Sequence, residues 1–228
     1  GGGAALTVQD LRVRELPSVS FVAEPGTITL IEGPSGAGKS SVFAALRGAA
    51  EFSGTASLDG VDVRRLAPAD WTAWAGQAPG LMQGTIAENV ALGSSPSTDA
   101  VRVALEAACA EDLDADQHLG VQGAGLSGGQ QQRVAVARAL YRYAEQPGRV
   151  LMLDEPSSAL DADTEARLWA SLRLLADAGA TILLISHRRS ARQIADQIVT
   201  IASVAEPVEG LSPVSSQVAE PVDAPSLV

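Results

Sequence analysis

The 228-residue sequence contains a single lysine, Lys39, and few basic residues of any kind. Lysine and arginine total 16 against 27 acidic residues, which gives a formal net charge of −11 at pH 7. A protein that grips a nucleic-acid backbone usually presents a basic face, because the release of counterions drives that binding. The acidic balance therefore argues against nucleic acid as a partner.

Cysteine and long apolar runs are also scarce. Cys109 is the only cysteine, so no internal disulfide can form. It lies in the apolar segment VRVALEAACA, where a buried, inert side chain is expected. No run reaches the roughly 18 apolar residues that a membrane-crossing helix needs. A bilayer-spanning segment is therefore not predicted.

The sequence begins GGGAALTVQD, which lacks the charged and apolar regions of a secretory signal peptide. Its only methionines are Met82 and Met152, so there is no initiator methionine. We expect the chain to be part of a longer polypeptide and to work in a reducing, cytoplasmic environment. Residues 203–228 are rich in proline and acidic residues and contain no basic residue. This tail is expected to be disordered.

Short apolar runs alternate with helical patterns along the rest of the chain. This alternation predicts an α/β fold whose central parallel sheet is covered on both faces. An antiparallel pair with a turn at Asp59-Gly60 is expected within residues 53–63. The segment 71–125 is expected to be mostly helix and loop. Strands are predicted at 6–13, 27–32, 149–153 and 181–186, and helices at 40–47, 99–113, 130–143 and 161–179.

A phosphate-binding loop follows the second predicted strand. The sequence GPSGAGKS, residues 33–40, matches the pattern G-x-x-x-x-G-K-S/T. Glycines let backbone N–H groups turn inward around phosphate oxygens, and the following helix adds the positive end of its dipole. Lys39 would reach the β- and γ-phosphates, and the Ser40 hydroxyl is a suitable ligand for Mg²⁺. The chain's only lysine stands at the position of the motif that requires one.

Two acidic residues follow a buried strand in RVLMLDEPSSALD, residues 149–161. Ligands of open parallel sheets gather at the carboxyl ends of the strands. Asp154 could therefore contribute to the Mg²⁺ site, and Glu155 could polarise a water molecule for attack on a phosphate. Solvated loop carboxylates are the alternative.

Further motifs resemble those of the ATP-binding-cassette family over about residues 6–201. These are LSGGQ at 126–130, LMLDEP at 151–156 and His187 after a predicted strand. The resemblance implies a P-loop NTPase fold with a mostly parallel central sheet, an antiparallel β subdomain and a helical signature subdomain at about 78–142. It also implies an ATP-binding domain that covers residues 1–202.

The resemblance also implies roles for individual residues. Glu155 and His187 would be catalytic, as general base and switch histidine. Ser40, Gln77 and Asp154 would surround Mg²⁺. The resemblance also implies that SALD, residues 158–161, is the D-loop. The residues that would bind ATP are Gly33, Pro34, Ser35, Gly36, Ala37, Gly38, Lys39, Ser40, Ser41 and Gln77, together with the signature residues Ser127, Gly128, Gly129 and Gln130.

The sequence departs from the family at the adenine site. An aromatic residue often follows the first strand, but Arg14 and Glu15 stand there. Two alternatives remain for the adenine, which is held either by planar stacking on Arg14 or only weakly. The segment LGVQGAG before the signature also lacks an acidic residue found there in many exporters.

The stretch QGTIAENVALG, residues 83–93, resembles exporter-type cassettes. The region from Gln117 to Leu140 is most similar to cassettes of thiol exporters linked to cytochrome bd assembly. The resemblance implies a dimer with an identical or different nucleotide-binding domain, each ATP lying between the P-loop of one subunit and the signature of the other. It further implies a transmembrane permease domain, at the N-terminal side of the same polypeptide, and a location at the cytoplasmic face of the plasma membrane.

Three other functions remain open from the residues alone. An importer cassette would pair with a separate permease. A soluble ATPase of chromosome maintenance would carry long coiled coils between P-loop and signature, whereas only about ninety residues separate them here. A non-hydrolysing module would not need Glu155.

Overall fold

Eleven strands and seven helices make up residues 3–202, the part of the chain that the computed structural model describes. The predicted tail at 203–228 lies outside these residues. The strands are β1 (Leu6–Arg12), β2 (Val19–Ala23), β3 (Ile28–Glu32), β4 (Ser53–Leu58), β5 (Val61–Asp62), β6 (Thr72–Ala75), β7 (Gly84–Thr85), β8 (His118–Leu119), β9 (Val150–Asp154), β10 (Thr181–Ile185) and β11 (Gln197–Thr200). The helices are α1 (Lys39–Leu46), α2 (Pro68–Trp71), α3 (Ile86–Val90), α4 (Thr98–Ala107), α5 (Gly128–Glu145), α6 (Ala162–Asp177) and α7 (Ala191–Ile194).

The central sheet has five strands in the order β11-β3-β10-β9-β6, and all its neighbours run parallel. Every residue of β9 and β10 is buried, as expected for strands covered on both faces. Ile185 pairs with Asp154 on one side and with Ile31 on the other, so the carboxyl ends of three strands lie at one edge. The P-loop sequence leaves the sheet at this edge, immediately after β3.

A second, antiparallel sheet has the order β2-β1-β4-β5. Its hairpin turns at Asp59 and Gly60, which both have positive φ angles, of 47° and 82°. This conformation suits a two-residue turn between twisted strands, and Asp and Gly tolerate it better than most residues. The predicted turn at these two residues is therefore confirmed.

The two faces of the central sheet pack into two separate hydrophobic clusters. One cluster joins Ile31, Met152 and Leu183 to α1 and the antiparallel sheet. The other joins Leu30, Leu153 and residues of α3 to α6 on the opposite face. The alternation of side chains along each buried strand produces this division, and the predicted two-sided covering is confirmed.

Most predicted elements are present, with five strands missed and one helix shortened. Strands β6, β7 and β8 lie within the segment expected to be helix and loop, and neither β2 nor β11 was predicted. The helix predicted at 99–113 ends at Ala107, and Cys109 then adopts a positive φ of 56°. Cys109 is buried, as expected. The bounds of the ATP-binding domain and of its helical subdomain stay predictions.

None of the helices in the described residues combines the length and hydrophobicity needed to cross a membrane.

Candidate functional site

The P-loop connects β3 to α1 and wraps around the side chain of Lys39. The Lys39 ammonium donates hydrogen bonds to the carbonyls of Gly33 at 2.6 Å and Pro34 at 3.0 Å. Gly38 has a φ of 96°, and a Cβ there would lie 2.7 Å from Leu16 Cδ1. Only glycine fits this position without strain. Because α1 begins at Lys39, the loop presents a helix N-terminus, which attracts anions.

Three oxygen-bearing side chains meet behind the loop. The Ser40 hydroxyl donates to Asp154 Oδ2 at 2.7 Å, and the Gln77 amide donates to Asp154 Oδ1 at 3.2 Å. Asp154 is 4% exposed. Residues 3–202 contain no group of three His, Cys, Asp or Glu residues that could bind a metal alone. Mg²⁺ commonly uses one or two carboxylates plus phosphate oxygens, so this donor set fits it.

Glu155 points away from Asp154, toward His187. Its backbone has a φ of 51°, and its N–H donates to the carbonyl of Ile185 on the neighbouring strand at 2.8 Å. One carboxylate oxygen lies 2.8 Å from His187 Nδ1. The Glu155 side chain is 12% exposed and that of His187 is 69% exposed. The other carboxylate oxygen is buried and has no hydrogen-bond partner among the described residues.

A cavity of about 540 Å³ brings most of the predicted residues together. Pro34 is in the loop but does not line it, and Ala37 is buried beneath it. The lining contains Gly33, Ser35, Gly36, Gly38, Lys39, Ser40, Ser41, Gln77, Glu155 and His187, together with Leu16.

Leu16 was not predicted from the sequence, and Arg14 does not line the cavity. Arg14 is exposed and has a φ of 50°, which turns the chain so that Leu16 lies over Gly38. The only sequence signal for Leu16 is that it is the apolar residue between β1 and Pro17. Leu16, rather than Arg14, is therefore the residue after β1 that contributes to this cavity.

The signature residues lie at a separate cavity of about 230 Å³, which shares no residue with the P-loop cavity. Ser127, Gly129 and Gln130 line it with Asp161 and Thr164, whereas Gly128 does not. Ser127 Oγ accepts from the N–H of Gln130 at 3.1 Å, and Gln130 Oε1 accepts from the N–H of Ser127 at 2.9 Å. This reciprocal capping box starts α5.

Asp161 caps α6 at the same cavity. Its carboxylate accepts a hydrogen bond from the N–H of Thr164 at 2.8 Å, which makes Asp161 the N-cap of this helix. This backbone hydrogen bond holds the pKa of Asp161 below its ordinary value. Asp161 is therefore ionised at neutral pH.

A larger cavity, of about 700 Å³, lies elsewhere. It lies between the end of α1 and residues 48–68 and contains none of the predicted site residues. The predicted chemistry belongs to the smaller cavity at the edge of the sheet, since that is where carboxylates, a lysine and a helix N-terminus converge.

A parallel sheet whose first buried strand leads through a glycine-rich loop into a helix defines a P-loop nucleotide-binding protein. The sequence model of the family described as "ABC transporter" matches residues 16–158. The chain belongs to the ABC transporter family, as a nucleotide-binding domain of the exporter type. The prediction drawn from the P-loop, signature and carboxylate motifs is confirmed.

Similar proteins include ATP-dependent lipid A-core flippases. The one from Xanthomonas campestris pv. campestris (strain 8004) is 41% identical over 199 residues, which cover 82% of this chain and 33% of the flippase. The one from Burkholderia thailandensis is 39% identical over 196 residues, which cover 82% of this chain and 32% of the relative. This chain therefore spans about a third of the length of these relatives.

A solved structure with a similar fold is that of a bacterial Atm1-family ABC exporter with ATP bound. It superposes with a TM-score of 0.76 at 28% sequence identity and covers 89% of this chain and 38% of the exporter. The predicted α/β architecture with parallel and antiparallel sheets is confirmed.

Proposed function

We propose that this chain binds MgATP at the P-loop cavity and hydrolyses it to power export across a membrane. The observation that carries the proposal is the single cavity lined by Lys39, Ser40, Gln77, Glu155 and His187. These side chains supply the charges and hydrogen bonds that phosphoryl transfer to water requires.

The first task of the site is to hold the triphosphate. The loop N–H groups and the N-terminus of α1 face the phosphate oxygens, and Lys39 exchanges its carbonyl partners for the β- and γ-phosphates. Ser40, Asp154 and Gln77 would hold Mg²⁺. The metal, when bound, would neutralise negative charge on the β- and γ-phosphates.

The second task is to activate water. Glu155 accepts a proton from the attacking water as the water oxygen forms a bond to the γ-phosphorus. The bond between that phosphorus and the bridging oxygen breaks, and ADP leaves with the bonding electron pair. His187 Nδ1 lies 2.8 Å from Glu155 Oε1 and orients this carboxylate by donating its N–H. Once that contact is released, the ring can donate its N–H to a γ-phosphate oxygen instead.

We further infer that two nucleotide-binding domains, identical or different, close around ATP. The P-loop and signature cavities share no residue within one chain, which supports a signature that faces the phosphate of a partner subunit. The capped N-terminus of α5 presents N–H groups to such an anion. Hydrolysis would remove the shared ligand and release the dimer.

The proposed partner is a transmembrane permease domain, which would place this chain at the cytoplasmic face of the plasma membrane. The coverage of about a third of the flippases leaves length in those proteins for such a domain. The cargo is a separate proposal. The stretch from Gln117 to Leu140 favours a thiol compound, whereas the flippase relatives favour a lipid. The two are distinguished by whether a thiol compound or a lipid stimulates the ATPase activity of the complete transporter.

The variant Glu155→Gln tests the proposed hydrolysis. An amide of similar shape cannot accept the proton, so turnover should fall by about a hundredfold or more while ATP still binds. Phosphate release measures turnover, calorimetry measures binding, and size-exclusion chromatography with MgATP should reveal a trapped dimer. Turnover equal to that of the unmodified chain would refute the assignment of Glu155 as base.

A further inference from the structure

Glu165, Trp169, Arg188 and Ser190 form a polar cluster beside the segments that carry Glu155 and His187. Its centre is Glu165 on α6, which is 7% exposed. The Ser190 hydroxyl donates to Glu165 Oε1, and the Trp169 indole N–H donates to Ser190 Oγ at 2.9 Å. The guanidinium of Arg188 forms an ion pair with the other carboxylate oxygen, with Nε and Oε2 3.5 Å apart. None of these four residues lines the P-loop cavity.

The other end of Arg188 reaches the chain that follows Glu155. Its NH2 group donates to the carbonyl of Ser158 at 3.2 Å and lies 3.5 Å from that of Ser157. The N–H of Ser158 in turn donates to the carbonyl of Glu155 at 3.2 Å. Arg188 directly follows His187. It therefore connects the segment that carries Glu155 to the segment that carries His187.

The ion pair between the partly exposed Arg188 and the buried Glu165 is a poor source of stability, because desolvation of the carboxylate offsets the attraction. It does fix geometry, since the planar guanidinium can be held only where its N–H groups meet acceptors. Here the NH2 group of Arg188 donates to the carbonyl of Ser158, while its Nε lies at ion-pair distance, 3.5 Å, from the buried carboxylate of Glu165 on a different element. The arrangement therefore constrains the positions of these elements more than it stabilises the fold.

We infer that Arg188, held by Glu165, is a positioning residue that sets the distance and orientation between Glu155 and His187. The inference rests on the proposed hydrolysis of ATP. Without Arg188, the segment from Glu155 to Ser158 keeps its hydrogen bonds to β10 but loses its connection to the chain beyond His187. A catalytic group displaced by about 1 Å can lose about a hundredfold in rate.

The test uses the variants Arg188→Ala and Glu165→Gln, with Arg189→Ala as the matched control. The side chain of Arg189 is exposed and has no hydrogen bond or ion pair within residues 3–202. Arg188→Ala should lower kcat by about tenfold or more and leave KM for ATP within about threefold, because ATP does not contact Arg188. Glu165→Gln keeps an acceptor for Ser190 and should also lower kcat. Arg188→Lys should restore part of the loss, since its ammonium can reach only one partner at a time.

The double variant shows whether the two residues act together. If Arg188 works through Glu165, the double variant should have the same kcat as the single variant Arg188→Ala. Independent, multiplicative losses would refute the inference. So would an equal fall in kcat for the Arg189→Ala control.

Hydrogen exchange of the peptide spanning residues 155–160 gives a readout that needs no turnover. Exchange should be faster in Arg188→Ala and Glu165→Gln than in the unmodified chain, and unchanged in Arg189→Ala. Unchanged exchange in Arg188→Ala would overturn the inference. If the unmodified chain failed to hydrolyse ATP, the proposed function would fail, and the exchange rates would still decide the role of Arg188.

Discussion

Two adjacent carboxylates serve different sites because of one backbone angle. Asp154 ends β9 and points to Ser40 and Gln77, whereas Glu155 has a φ of 51° and points to His187. A non-glycine residue in this conformation costs on the order of 1–3 kcal/mol. The hydrogen bond from its N–H to Ile185 helps to hold it there. The strained backbone therefore turns the side chain of Glu155, the proposed base, away from Asp154, the proposed metal ligand.

At the same scale, Leu16 and Arg14 offer a test of how adenine is held. Leu16 lines the cavity beside Gly38, and Arg14 does not. Leu16→Ala should raise the Kd for ATP about fivefold, because about 1 kcal/mol of apolar contact is lost. Arg14→Ala should leave the Kd within about twofold. Titration with a fluorescent ATP analogue measures both.

Inorganic triphosphate serves as the control ligand, since it lacks the adenine. Its affinity should be the same in both variants and in the unmodified chain. A large loss of ATP affinity in Arg14→Ala, with none in Leu16→Ala, would restore the stacking role expected for arginine.

At the scale of the element, the signature sequence is also the start of a helix. Ser127 and Gln130 form the capping box of α5, so a signature variant can fail for structural reasons alone. Ser127→Ala removes the cap and should lower the free energy of unfolding by about 1 kcal/mol. Ser127→Asp keeps the cap but places a negative charge where a phosphate is proposed to lie.

We therefore expect Ser127→Asp to unfold like the unmodified chain but to form no ATP-dependent dimer in the Glu155→Gln background. Urea denaturation measures the first property and chromatography with MgATP the second. Dimerisation of Ser127→Asp equal to that of its parent would show that Ser127 does not face the partner's nucleotide.

The strands missed by sequence analysis share one feature, which is their place at the edge of a sheet. Strands β6 and β11 are the two edges of the parallel sheet, β2 is an edge of the antiparallel sheet, and β7 and β8 form a sheet of only two strands. The inner strands β3, β9 and β10 are buried on both faces and read as continuous apolar runs. The missed strands have only two to five residues, and their pairing depends on a neighbour distant in sequence. Their local signal is correspondingly weak.

The residues of the candidate site also divide into those that the sequence predicts and those that it does not. The P-loop, Asp154 and Glu155 could be predicted because motif spacing and strand ends are local properties of the sequence. Leu16 could not be predicted, because its position depends on how the chain after β1 turns back over Gly38. The connection from Arg188 to Ser158 likewise depends on how β9 and β10 pair.

At the scale of the whole molecule, the net charge of −11 opposes the proposed dimer. Two copies repel over distances comparable with the Debye length, about 30 Å at 0.01 M salt and about 10 Å at 0.1 M. The contacts between a phosphate and a signature would be buried and therefore screened much less. Raising the salt concentration should weaken the repulsion more than the attraction.

For the Glu155→Gln variant with MgATP, we therefore expect the dimer Kd to fall several-fold as NaCl rises from about 10 to about 150 mM. Sedimentation measures this constant. Replacing the exposed Glu51 and Glu145 by lysine changes the net charge from −11 to −7, because each replacement removes one negative charge and adds one positive charge. This control should dimerise more tightly at low salt and depend less on salt. A dimer that weakens as salt rises would instead show that attraction between local charges across the interface outweighs the repulsion between two acidic subunits.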